Sequence, residues 1–273
     1  MRDRSGGARD TAGAGGSGRT DDTGLPASIE TAWGLRERPA KGPKPGLGLD
    51  KIVAAAVALA AAEGLGAVSM GRVARELGVA TMSLYRYVAA KDELYILMQD
   101  AVAGPAPAPP APGTGWREAL TAWATEHRAL FRRNPWVLRM PVSGPPVTPH
   151  SVAWWECGLA ALADTGLDEG EKIGVIMLVA GFVRNEVLLS ADLAAAIEAQ
   201  GVGADEAMRR YERTLRRLAD PERYPAVARL LESGVMTAGP SDPEGDADAE
   251  FDFGLETLLD GVDARIRRRR TAP

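Results

Sequence analysis

The residues best placed to do chemistry lie between Thr81 and Val88. Thr81, Ser83, Tyr85, Arg86 and Tyr87 surround two apolar anchors, Leu84 and Val88. At 3.6 residues per turn the anchors face one way, and the hydroxyls, phenol rings and guanidinium face the others. Such a helix is suited to reading a polar surface rather than to filling a core. A second set lies further on, where polar groups interrupt apolar helices. His127 shares a stripe with Trp123 and Phe131, and Arg184, Asn185 and Glu186 break a long apolar run.

The first set needs a scaffold, and the preceding residues supply one. Met70, Val73, Ala74 and Leu77 recur at i, i+3, i+4 and i+7, with Ser69 as N-cap. Ala74 is small where two helices would cross. Gly78 permits a sharp exit, and Val79 returns to the core. The pattern is a helix-turn-helix, whose second helix, here Thr81 to Val88, enters the DNA major groove. Leu49 to Gly64 forms a lead-in helix with an Ile52, Val53, Ala56, Leu59 and Ala60 stripe. Lys91 to Val102 forms a fourth helix, with Asp92 and Glu93 in its first turn.

This string resembles the TetR family of bacterial transcriptional regulators. The carrying residues are Val73-Ala74, Leu77-Gly78-Val79, Ser83-Leu84-Tyr85-Arg86-Tyr87-Val88 and Lys91-Asp92-Glu93-Leu94. The resemblance implies DNA contacts from Thr81, Met82, Ser83, Tyr85, Arg86 and Tyr87, with Lys91 on a phosphate. Residue chemistry agrees. Thr81 and Ser83 bond phosphates or base edges, and Tyr85 offers a hydroxyl and a ring. Arg86 can fork onto guanine for about 1–3 kcal/mol of discrimination. Ser69 and Arg72 complete the expected face. Gly71 stands where the tetracycline repressor has a base-contacting Arg, which implies a different operator sequence. For Tyr85 and Tyr87 partial burial against the first helix stays open.

The second half resembles the TetR-type C-terminal ligand-binding and dimerisation domain, through Trp116-Arg-Glu, Asn134-Pro-Trp, Gly144-Pro-Pro, Ala180-Gly-Phe and Phe251-Asp-Phe-Gly-Leu. The expected fold is all-α: a three-helix DNA-binding domain followed by a helical bundle. The divisions are a disordered tail (1–27), a basic Pro/Gly-rich arm (28–48), the DNA-binding domain with its connecting helix (49–103), a Pro-rich loop (104–114), the regulatory domain (115–267) and a basic tail (268–273). In the arm, Ile29, Trp33 and Leu35 suit a helical turn. Arg38, Lys41 and Lys44 suit either a solvated linker or a minor-groove contact. Ser241 to Ala249 reads as an acidic loop ahead of a closing helix, 251–267.

Trp123, His127, Trp136, Met140, Trp154, Trp155, Met177 and Arg184 are candidates to line an apolar pocket with a few polar groups. Core or interface roles explain them equally well, and Arg184 and Glu186 can pair at the dimer interface. One recognition helix contacts few base pairs, so a two-fold dimer on a pseudo-palindromic double-stranded operator is expected. Helices 168–198 and 251–267 are its expected interface. A small apolar effector of unnamed identity is the expected ligand.

The chain has 273 residues, net charge −5, two histidines and one cysteine. That excludes a disulfide framework and points to a reducing, cytoplasmic setting. No HExxH, CxxC, P-loop or nucleophile elbow occurs, so neither enzyme chemistry, a metal nor a cofactor is expected. No uninterrupted apolar run suggests a membrane span. A ligand-independent or activating regulator, or a helical carrier that has lost DNA binding, stays open beside the repressor reading.

Overall fold

The computed structural model describes residues 24–35, 47–142, 144–236 and 243–271. Its elements are helical, with no strand among the described residues. Helix α1 (Ala27–Ala32) is followed by α2 (Leu49–Glu63), whose buried residues are Ile52, Val53, Ala56, Leu59 and Ala60. Gly64, at φ +81°, ends it. Helix α3 (Met70–Glu76) starts at Ser69, whose hydroxyl accepts the Arg72 amide at 3.2 Å. The turn passes Gly78 at φ +65°. Helix α4 is regular only over Thr81–Leu84. The expected helix to Val88 tightens instead into a turn, with the Tyr87 amide bonded to the Leu84 carbonyl at 2.8 Å. Helix α5 (Lys91–Ala103) then links the head to the second half.

The second half comprises α6 (Trp116–Arg133), α7 (Pro149–Ala161), α8 (Glu169–Glu198), α9 (Ala204–Leu218), α10 (Pro225–Glu232) and α11 (Pro243–Thr271). Asp168 and Glu171 form a reciprocal capping box at the start of α8. Helix α8 buries Ile176, Val179, Val183 and Val187 on one stripe. By length and composition it is the one described helix apolar enough to cross a bilayer, although 28% of that window is buried within this chain.

Several sequence expectations change. Residues 27–32 are helix, which agrees with the helical turn expected around Ile29 and Trp33 and places its first residue, Ala27, at the expected end of the tail. Arg38, Lys41 and Lys44 lie outside the described residues, as does the tail's 1–23. The acidic 243–249 segment is the first part of α11, not a loop. Pro followed by acids suits a helix N-terminus. The basic tail is helical through Thr271. There Arg269 pairs with Glu171 and Asp168 of α8, which anchors the last turn.

Two main hydrophobic cores result. The first unites α1, α2, α3, α4 and α5. It is completed by Trp136, Val137 and Met140, which follow α6 in a 3-10 turn. The second unites α6, α7, α8 and α11 around Leu120, Trp123, Leu162, Val179 and Phe251.

Candidate nucleic-acid interface and effector pocket

Leu84 and Val88 are fully buried, and they fix the orientation of α4 on the head. Met82 is 74% exposed and Tyr85 44%, while Arg86 and Lys91 are exposed as well. Thr81 and Ser83 are half-buried. This face is continuous and presents a guanidinium, a phenol and hydroxyls to solvent. Lys91 lies 5.0 Å from the Tyr95 ring centroid, a cation–π contact that steadies its stem. An ideal Cβ on Gly71 would meet the Thr81 hydroxyl at 3.9 Å, ordinary contact that shows how closely α3 approaches α4.

Three of the expected DNA residues have other partners. The Ser69 hydroxyl caps α3. Arg72 bonds Glu63 of α2 at 2.6 Å. Tyr87 is half-buried and donates its hydroxyl to the Leu47 carbonyl at 3.0 Å, so it braces the lead-in to α2.

Helix α5 carries two carboxylates that the sequence reading did not single out for this role. Glu93 is buried near its start. It accepts the Ala89 amide at 2.5 Å and the Ser28 hydroxyl of α1. Asp100, also buried, accepts the His150 and Ser151 amides at the start of α7, at 2.9 and 3.1 Å. Helix α1 also spans the halves, because the Trp33 indole donates to the Val147 carbonyl at 2.8 Å. An acid inside an apolar helical stripe is the signal that marks Asp100.

A cavity of about 240 Å³ opens between α5, α6, α7 and α8. Six of the expected pocket residues line it: Trp123, His127, Trp154, Trp155, Met177 and Arg184. Leu130, Phe131, Val137, Pro146 and Ser151 add to the wall. Trp136 and Met140 do not line it. They turn into the head's core, because Asn134-Pro135 ends α6 and redirects the chain toward α2 and α5. Arg184 is bonded within its own protomer. It donates to the Leu138 carbonyl at 2.5 Å.

His127 packs its ring among Trp123, Trp154 and Phe131, with centroids at 4.4, 4.3 and 5.8 Å. Burial lowers its pKa to about 4, with the Trp123 carbonyl offsetting only part of that shift, so the ring is neutral at pH 7. Its Nδ1 is buried and makes no hydrogen bond of normal geometry. Behind the cavity Arg128 is 6% exposed. It bonds Glu186 of α8 through Nε and Nη2 at 3.2 and 2.9 Å, and Asp248 of α11 through Nη1 at 2.5 Å. Its guanidinium also lies 4.3 Å from the Phe251 ring centroid. Burial lowers the Arg128 pKa, but the hydrogen bonds it donates to Glu186 and Asp248, with their negative charges, outweigh that and raise it overall. Cys157 is half-buried, and its thiol is pushed up by burial and then by Glu156, away from nucleophilic reactivity.

An exposed reading helix on a three-helix head, tied through one helix to a cavity-bearing bundle, defines a helix-turn-helix regulator. Residues 52–98 match the bacterial regulatory proteins of the tetR family, and residues 109–266 match the tetracyclin repressor-like C-terminal domain. The chain belongs to the TetR family of DNA-binding transcriptional regulators. It is 39% identical over 265 residues to the HTH-type transcriptional repressor DrrR1 of Streptomyces coeruleorubidus, covering 96% of this chain and 95% of that one. An HTH-type transcriptional regulator of Saccharopolyspora erythraea is 31% identical, over 81% and 86% of the two chains. Among solved structures, apo ActR from Streptomyces coelicolor aligns with TM-score 0.67 and 26% identity, over 82% and 99% of the chains. ActR in complex with actinorhodin aligns with TM-score 0.67 and 26% identity, over 81% and 97%.

Proposed function

We propose that this chain is a cytoplasmic homodimeric repressor, released from a pseudo-palindromic operator by a small effector bound in the α5–α8 cavity. The observation that carries the reading is α5 itself. Glu93 near its start holds the end of the helix-turn-helix, and Asp100 near its end holds α7 at the cavity wall. A ligand that shifts α7 acts on the same rigid helix that sets the position of α4. An effector preferring one spacing of the two heads then shifts the population off DNA.

The dimer surface is the outer face of α8 with α11. Ile173, Met177, Leu178, Leu189 and Leu193 are 42–59% exposed, and Phe253 is 73% exposed. Gly174, Gly181 and Gly261 have open space where a Cβ would point, which lets a partner backbone approach. Covering these residues in a four-helix bundle removes the apolar face that otherwise gives α8 the character of a membrane span.

Fluorescence anisotropy on a duplex from upstream of the chain's own gene tests the reading, with wild type and Arg86→Ala at two salt concentrations. Tight, salt-sensitive binding that weakens about 5- to 150-fold in the variant is expected, the equivalent of about 1–3 kcal/mol. A random-sequence selection that returned no palindrome would refute it.

A further inference from the structure

We propose that α1 is a strap that ties the reading head to the cavity wall and thereby holds the head in one orientation for DNA. This rests on the regulator reading above and adds a second physical link between the two halves. Helix α1 has six residues, and no side chain caps its start. So short a helix is unstable on its own. Its order comes from what it touches at each end. On one side Ile29 is 1% exposed within the head's core, and the Ser28 hydroxyl donates to Glu93. On the other side the Trp33 indole donates to the Val147 carbonyl at 2.8 Å.

Both attachments fall where α5 already makes its own. Glu93 also accepts the Ala89 amide, at the end of the helix-turn-helix. Val147 lies just ahead of His150 and Ser151, whose amides Asp100 holds. Pro146, beside Val147, and Ser151 line the cavity. Pro145, Pro146 and Pro149 each fix a backbone angle in this stretch, so a push at one point moves it as a unit. A single helix that joins two bodies lets one tilt or turn about it. A second tie beside that helix blocks the motion. Helix α1 supplies the second tie, with its ends set against points about two turns apart on α5. When a displaced Pro146 carries Val147 away, the Trp33 bond is lost, and α1 is too short to keep its shape. The head then gains freedom without any change within α5.

The test is hydrogen–deuterium exchange of the full chain, read by mass spectrometry, for wild type, Trp33→Phe, Ile29→Ala and the double variant. Trp33→Phe keeps a ring and removes the donor, and Ile29→Ala loosens the opposite end. A strap carries each loss to its far end. Trp33→Phe should therefore speed exchange at Ala89, and Ile29→Ala at His150 and Ser151, each by about three- to fivefold, the worth of one partly exposed hydrogen bond. The double variant should match the larger single, because a strap cut at both ends is no looser than one cut once. Operator binding by the same preparations, measured by anisotropy, should weaken by a similar factor in Trp33→Phe. Changes confined to each variant's own end, additive losses, or an unchanged operator affinity overturn the proposal. If Ile29→Ala unfolds the head, seen as fast exchange throughout α2 and α3, Trp33→Phe decides alone. A wild type that binds no palindromic duplex refutes the repressor reading instead, and exchange at Ala89 in Trp33→Phe still decides the strap.

Discussion

Replacing Arg128 by Met should destabilise the regulatory domain far more than an ordinary ion-pair deletion. Surface pairs contribute little, about 0–1 kcal/mol. Arg128 is different because its side chain is 7% exposed and that of Glu186 18%. Met preserves the aliphatic stem but loses the guanidinium's contact with the Phe251 ring and leaves Glu186 without the two bonds that Arg128 gives it. Breaking a fully buried pair costs about 3–5 kcal/mol. Glu186 keeps some access to water, so about 2–3 kcal/mol is the fitting figure. For a chain of this size that lowers Tm by about 4–12 °C. The assay is thermal unfolding by circular dichroism at one fixed protein concentration, since dimerisation makes Tm concentration-dependent. Neutralising the stranded acid in Arg128→Met/Glu186→Gln should restore at least half of the loss, because the cost lies in the unpaired charge. A loss under about 1 kcal/mol, or a double variant as unstable as the sum of the singles, would refute the reasoning.

Gly158→Ala should destabilise despite its better helix propensity. Its Cβ would lie 2.8 Å from Ile176 Cδ1 and 3.0 Å from Trp123 Cε2, and overpacking of about 1–3 kcal/mol outweighs a propensity gain of about 1 kcal/mol. Urea denaturation checks this. Glu171 is held at about 2, first by Arg269 and then by Arg265, against the opposing pull of burial. Its contribution is therefore present above its ordinary value of 4.5 and is lost as pH falls through about 2. The Tm gap between wild type and Glu171→Gln should accordingly close over that window. His127 acts in the same direction from a different range. The unfolded chain takes up its proton near 6.5 and the folded chain only near 4, so stability falls as pH drops between them. His127→Phe should show a shallower decline across that interval in denaturant titrations.

The helix-turn-helix was legible because it is local. Leu84, Val88, Gly78 and the α3 stripe encode their own geometry through spacing alone. The cavity was partly legible, since His127 with its stripe-mates Trp123 and Phe131 lies on one helix face and lines one wall. Trp136 and Met140 were misassigned because apolarity says that a side chain is buried but not in which core. That choice was made by the chain reversal at Asn134-Pro135. The Arg128–Glu186–Asp248 network and the Glu93 and Asp100 clamps join residues 58, 120, 65 and 50 positions apart. No periodicity reports pairings at such separations. The start of α11 was missed because an acidic, Pro-containing stretch reads equally as a loop and as a helix N-terminus.

The Pro-rich stretch after α5 is where a genetic engineer would cut, yet the head's core does not end there. Trp136, Val137 and Met140 are each under 10% exposed within it and lie more than thirty positions past Gly104. A reading head severed at 104–114 would leave behind three of its own core side chains and expose the apolar surface that they cover. A chimera grafting this head onto another regulator's bundle would meet the same mismatch unless the recipient supplied an equivalent wedge. The unit that recombination can exchange is thus larger than the unit that touches DNA, and new operator specificity is more readily reached by substitution on α4 than by transplanting the domain.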